Sequence, residues 1–177
     1  MLRLDARLQA IRDWDVRVCA RMNRAMRVRL VHRFFRAASD LGDGLAWYVL
    51  MLGLLIAEGS DAAFTVIRMI LTGIVATLVY RALKTGTVRP RPYQVHAHIA
   101  AGATPLDRFS FPSGHTLHAV AFSLLATSEY PALASVLIPF TACISASRIV
   151  LGLHYPSDVL AGATLGASLA LVALQIG

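Results

Sequence analysis

Eight residues between positions 84 and 158 carry groups suited to phosphoryl transfer: Lys84, Arg91, Ser113, Gly114, His115, Arg148, His154 and Asp158. They fall into three clusters. Lys84 is followed by Arg91-Pro92, then comes Pro112-Ser113-Gly114-His115, and Ser147-Arg148, His154 and Asp158 form the third. Lys84, Arg91 and Arg148 bring three positive charges, and arginine's planar fork matches the oxygens of a phosphate. Ser113 suits the cap of a following helix, whose first backbone N–H groups then point at an anion. Gly114 lets that backbone come close. Such a cage stabilises the charge that develops on a phosphoryl group in transit.

A nucleophile must attack the phosphorus. His154 and Asp158 are four apart, and Pro156 between them suits the first turn of a helix. An aspartate so placed accepts a hydrogen bond from one imidazole nitrogen, which fixes the tautomer and frees the other nitrogen to attack. His115 can protonate the leaving alkoxide and then activate water. Singly, each cluster has an ordinary explanation. A cation at a helix end is an interfacial anchor, Pro-Ser-Gly-His starts a helix, and His-x-x-x-Asp is a routine helical pair. Their joint occurrence on one face points to a site.

The elements that carry these residues are apolar. Of 177 residues, 56 % are hydrophobic and only 15 % charged, with mean hydropathy +0.61, against about 25 % charged in an ordinary soluble domain. Five apolar segments follow position 39: about 44–57, 62–80, 115–128, 131–146 and 159 to the end. Several fall short of the roughly 20 residues that a span requires. Counting the crossings brings the ends that carry the three clusters to one side. The expected fold is therefore all-α: a polytopic membrane helix bundle with about five transmembrane helices, in one domain over 1–177. Residues 39–177 form its core, with the motifs at 84–158. A soluble helical core is disfavoured, since so little polar sequence remains to coat it. Gly162 and Gly166 allow close helix packing inside the bundle. The longest irregular stretch, about 85–112, is basic and proline-rich and lies where function is expected.

Ten of the 17 basic residues are arginines within the first 38 positions. That stretch has neither Gly nor Pro, and Leu4, Leu8, Ile11, Trp14, Val18, Met22 and Met26 mark one helical face. It reads as an amphipathic helix that either lies among anionic headgroups, packs on its own bundle, or does both. The apolar remainder favours a membrane surface over nucleic acid as the partner of this charge. No signal peptide is expected. The two cysteines, Cys19 and Cys143, form neither a CxxC nor a ligand cluster, so neither a disulfide framework nor a cysteine metal site is expected.

Together the three clusters resemble the type 2 phosphatidic acid phosphatase superfamily. Its signature is Lys, six residues, Arg-Pro; then Pro-Ser-Gly-His; then Ser-Arg, five residues, His, three residues, Asp. The sequence matches in order and spacing from Lys84 to Asp158. The resemblance implies His154 as nucleophile, His115 as acid and base, and Asp158 as the partner of His154. It implies Lys84, Arg91, Ser113, Gly114 and Arg148 as the phosphate cage, with no metal and no cofactor. Arg89-Pro90 is a second Arg-Pro at the wrong spacing, so Arg89 is held in reserve. The expected function is hydrolysis of a lipid phosphomonoester or pyrophosphate (phosphatidate, phosphatidylglycerol phosphate, polyprenyl pyrophosphate or a polyprenyl-linked sugar phosphate). The competing readings are a non-catalytic lipid-phosphate-binding protein, a vanadate haloperoxidase, whose known relatives are soluble and larger, and a metal site using His115 with His118 or His96 with His98. Family members commonly have six spans. With five, the N-terminus shares the face of the active site. The distribution of Lys and Arg then places that face in the cytoplasm of a bacterial inner membrane. The motif chooses neither the lipid nor the oligomeric state.

Overall fold

The computed structural model describes residues 2–105 and 107–176, and side chains from residue 6 onward, so Leu4 of the expected apolar face and Arg3 of the expected basic helix lie outside the described side chains. Among the described residues the structure is helical, without strands. Eight α-helices follow in order: α1 (Leu2–Asn23), α2 (Arg29–Leu41), α3 (Leu45–Glu58), α4 (Ala63–Thr87), α5 (Pro92–Val95), α6 (Gly114–Glu129), α7 (Ala134–Val150) and α8 (Pro156–Gln175). Short 3₁₀ turns at 24–27, 59–62 and 131–133 join neighbours.

The five apolar segments become α3, α4, α6, α7 and α8. Three stretches are long and apolar enough to cross a membrane: Leu45–Val95, Pro131–Val150 and Pro156–Gln175, with mean hydropathy 2.0, 1.7 and 1.7. The first contains both α3 and α4. With 16 residues, α6 is shorter than a full span. It lies at the centre of the bundle, packing against α4, α7 and α8. Its buried residues include Leu117, Phe122 and Leu125, and the Phe122 ring lies 5.5 Å from Trp47 of α3. Apolar side chains of α3, α4 and α8, such as Ile56, Ile67 and Leu171, project outward, as expected of surfaces that face lipid.

The tightest packing is between α6 and α8. A Cβ on Gly162 would run into the Ser113 carbonyl, and one on Gly166 into the Leu117 carbonyl. The small-residue pair therefore seats one helix backbone on another within the bundle, as expected. Ser123 of α6 and Thr141 of α7 share a hydrogen bond of 2.7 Å that ties the opposite flank.

The N-terminal region differs from the continuous helix expected over 1–38. It breaks at 24–28 into α1 and α2. No local residue forces the break. Asn23 is buried, and its amide donates to the carbonyls of Ala100 and Val150 at 2.9 Å each while accepting from the Ala100 N–H. Distant chain thus fixes where α1 ends. The buried face of α1 is also not the apolar stripe. Asp15, Cys19 and Asn23 point inward, while Leu8, Ile11 and Trp14 are exposed.

Candidate active site

One cavity of about 470 Å³ gathers most of the predicted residues. Lys84, Arg91, Gly114, His115, Arg148 and His154 line it. Ser113 and Asp158 lie just behind its wall, fully buried. Its other half is apolar, with walls that include Trp47, Tyr48, Met51, Ile70, Ile74 and Phe122 from α3, α4 and α6.

Each cluster is delivered by a helix end. Lys84 sits in the last turn of α4, which runs to Thr87, beyond the expected end near Tyr80. Arg91 caps α5, with Pro92 in its first turn. The amino end of α6 opens on the cavity at Gly114 and His115, where the first backbone N–H groups have no partner within their own helix. Ser113 occupies the cap position, but its hydroxyl bonds the Thr116 hydroxyl at 3.1 Å instead of a backbone N–H. Arg148 ends α7. Its guanidinium bonds the hydroxyl of buried Ser39 on α2, and its Nε has no partner among the described residues.

The segment after α7 turns back sharply. Gly152 has φ +69°, and a Cβ there would meet Ile99 and the Ala100 carbonyl, so only glycine suits both the backbone and the space. The turn closes with the N–H groups of Leu153 and His154 bonding the Arg148 carbonyl at 3.1 and 3.0 Å. His154 is thereby presented to the cavity. Pro156 begins α8, as expected. Asp158, three residues past the cap, accepts the Tyr155 N–H at 2.8 Å.

The electrostatics around His154 are lopsided. Nε2 lies 3.2 Å from Nη1 of Arg91. Nδ1 faces Asp158 Oδ2 at 3.8 Å, which is beyond hydrogen-bond length, and has no partner among the described residues. The expected His154–Asp158 hydrogen bond is therefore an approach, not a formed bond. Burial pushes the His154 imidazole well below its ordinary pKa, and the charges of Arg148, Arg91 and Lys84 push it further. The ring is neutral near pH 7, the form that can attack.

Three acids at the site had no place in the expected constellation. Asp107, from the irregular segment, bridges the cage: it pairs with Lys84 and accepts from Arg91 Nη2 at 2.9 Å. Burial alone would raise its carboxyl, but the hydrogen bond and charge of Lys84 and the charge of Arg91 hold it below the usual range. Asp43, in the turn between α2 and α3, lies 3.5 Å from His115 Nε2. Asp15 of α1 binds Arg89 at 2.7 Å. Arg89 does not line the cavity. It lies behind it, with Nη1 2.6 Å from Asp158 Oδ1. His118 also lines the cavity, with its ring on Thr77 and the Gly114 carbonyl. The His96 and His98 rings are 5.8 Å apart. Among the described residues no three His, Cys, Asp or Glu side chains converge as a metal site would require.

The chain is similar to known proteins. The family model for the PAP2 superfamily matches residues 65–177. A lipid A 1-phosphatase of Rhizobium etli is 31 % identical over 108 residues, covering 59 % of this chain and 45 % of that protein. A decaprenylphosphoryl-5-phosphoribose phosphatase of Mycobacterium tuberculosis is 37 % identical over 105 residues, covering 58 % and 54 %. The chain thus spans about half the length of the curated relatives it matches. The crystal structure of Aquifex aeolicus LpxE superposes with a TM-score of 0.80 at 28 % identity, covering 92 % of this chain and 95 % of that one.

Proposed function

The chain belongs to the PAP2 superfamily, and on that footing we propose that it is an integral membrane phosphatase that hydrolyses a lipid-borne phosphoester or pyrophosphate through a phosphohistidine. The observation that carries this reading is the two-sided cavity. One end holds Lys84, Arg91, Arg148, His115 and His154, and the other is walled by apolar side chains of α3, α4 and α6. A charged headgroup and an apolar tail fit such a space together, and a water-soluble phosphate has no use for the second half.

The reaction runs in two displacements. The lipid phosphate enters the cage of Lys84, Arg91 and Arg148, beside the backbone at Gly114, and displaces Asp107. Nε2 of His154 attacks phosphorus, and the bond to the leaving oxygen breaks with its electron pair on that oxygen. His115 donates the proton that neutralises it. Asp158 stays ionised, accepts a hydrogen bond from the Nδ1–H and so balances the charge of the now positive ring. Water then gives its proton to His115, attacks the phosphohistidine and releases inorganic phosphate, which restores His154. No metal enters these steps, because cationic side chains hold the phosphate and a neutral imidazole supplies the nucleophile.

The protein sits in a bacterial inner membrane with α3, α4, α6, α7 and α8 as its five spans. Helices α1 and α2 lie in the headgroup layer, where the arginines meet anionic lipids and Leu8, Ile11, Trp14, Leu30 and Phe34 dip into the acyl region. The charge distribution favours a cytoplasmic face for the site. A C-terminal reporter is then periplasmic, and a cytoplasmic one overturns this orientation.

The decisive assay measures phosphate release from the detergent-solubilised protein, with chelator present. Its panel comprises phosphatidate, phosphatidylglycerol phosphate, a polyprenyl pyrophosphate, decaprenylphosphoryl-5-phosphoribose and lipid A 1-phosphate. Turnover of one class, abolished by His154→Ala, supports the reading. No turnover by the native protein, or full activity in His154→Ala, overturns it.

A further inference from the structure

Helix α1 lies outside the matched family region, residues 65–177, yet it meets the segment that carries the nucleophile. Asp15, Cys19 and Asn23 recur every four residues and are all buried. The Cys19 thiol faces the carbonyls of Ile149 and His154, and Asn23 holds the Val150 carbonyl. Asp15, the charged member, is 1 % exposed. Its Oδ1 accepts the Ser157 N–H at 2.9 Å, and its Oδ2 accepts from Arg89 Nη2 at 2.7 Å and from the Ser157 hydroxyl. Arg89 spends its other nitrogen on Asp158 Oδ1 and the Ser157 hydroxyl, at 2.6 and 2.8 Å, and lies over the Tyr155 ring. A continuous chain of short bonds thus runs from the N-terminal helix to the carboxylate behind His154.

We propose that Asp15 is a positioning residue for the nucleophile: through Arg89 it fixes the rotation of the Asp158 carboxylate so that Oδ2 faces Nδ1 of His154. The proposal rests on the phosphohistidine reading above. Asp158 is pinned at both oxygens, by Arg89 at Oδ1 and by the Tyr155 N–H at Oδ2. That leaves Oδ2 aimed at the imidazole across 3.8 Å. When phosphorus bonds to Nε2 the ring becomes positive, and Asp158 must answer with negative charge. Arg89 alone would neutralise Asp158 and leave no net negative charge to set against Lys84, Arg91 and Arg148. With Asp15 the trio carries one net negative charge, which remains available to the ring. The effect is felt when the ring is phosphorylated and not when phosphate binds, since no cage residue touches Asp15.

The test compares the full-length native protein with Asp15→Asn, Arg89→Gln and the double variant, using the lipid that the phosphatase panel identifies. Asparagine keeps the acceptor for Ser157 and removes the charge. The readouts are KM and the single-turnover rate at saturating enzyme, which does not depend on the fraction of active molecules. Asp15→Asn is expected to slow single turnover roughly ten-fold, as loss of one charge-assisted hydrogen bond does, with KM within about two-fold. The double variant is expected to match Arg89→Gln, because Asp15 acts through Arg89. A single-turnover rate for Asp15→Asn equal to the native one overturns the proposal, as do losses that multiply in the double variant. An inactive native protein overturns the phosphatase reading and this role with it, so the two failures are told apart.

Discussion

Arg91 stands 3.2 Å from Nε2 of His154 and can only donate to it. Nε2 must therefore carry its lone pair toward the cavity, and the ring proton sits on Nδ1, facing Asp158. The site thus holds the tautomer that the proposed attack demands. When phosphate arrives, the same guanidinium can turn from nitrogen to a phosphoryl oxygen without leaving the cage.

This bears on pH dependence. His154 is surrounded by Lys84 from α4, Arg91 beside α5, His115 from α6, Arg148 from α7 and Asp158 from α8. Burial first, and then the three cations, lower its pKa, so the neutral form persists as pH falls. The acid limb of kcat/KM, corrected for the substrate's own ionisation, is expected below the ordinary imidazole value of about 6.5. A limb at or above that value would contradict the cationic surroundings.

Asp107 occupies Lys84 and Arg91, the cations that the proposed reaction assigns to the substrate's phosphate. Its lowered pKa keeps it charged, and in place, at neutral pH. Asp107→Asn weakens the competitor. Inhibition by inorganic phosphate should tighten about five-fold, on the order of 1 kcal/mol. Unchanged or weaker inhibition would show that the bridge does not guard the cage.

The apolar half of the cavity makes a separable claim. Ile74 lines it and is half exposed, whereas the cage lies at the other end. Ile74→Trp should raise KM for a long-chain lipid phosphate about ten-fold, with kcat little changed, because it removes uniform binding. Hydrolysis of a small soluble phosphomonoester should be unaffected. Equal effects on both substrates would mean that the tail does not lie there.

Much of this site was legible in the sequence, because its chemistry is concentrated in short motifs whose spacing survives folding. Lys84, Arg91, Gly114, His115, Arg148 and His154 all line the cavity. The acids were not legible. Asp43 stands just ahead of an apolar segment, Asp15 within the arginine-rich N-terminal stretch, and Asp107 within the irregular stretch. Each acquires its role from a partner at least 16 positions away: Asp43 from His115, Asp15 from Arg89, Asp107 from Arg91. The break after α1 was hidden for the same reason, since Asn23 is held by Ala100 and Val150. Arg89 carried the one usable signal, an Arg-Pro with no place in the cage spacing.

The seam between α6 and α8 offers a stability test. Gly166→Ala drives a methyl into the Leu117 carbonyl, and overpacking of this kind costs about 1–3 kcal/mol. Thermal unfolding in detergent should fall by several degrees. Gly53→Ala, where a Cβ meets nothing within 4 Å, serves as the control and should leave the midpoint in place. Equal midpoints would show that the seam yields easily.

Gly162 and Gly166 seat α8 on the carbonyls of Ser113 and Leu117 with no side chain between. A joint of backbone on backbone has no adjustable parts, so His115 at the head of α6 and the turn that carries His154 at the head of α8 keep one spacing. The wall formed by Tyr48, Ile70 and Ile74 is made of side chains, each replaceable without moving a helix. On the proposed reading, a change in that wall would trade one lipid for another while the spacing of His115 and His154 stays as it is.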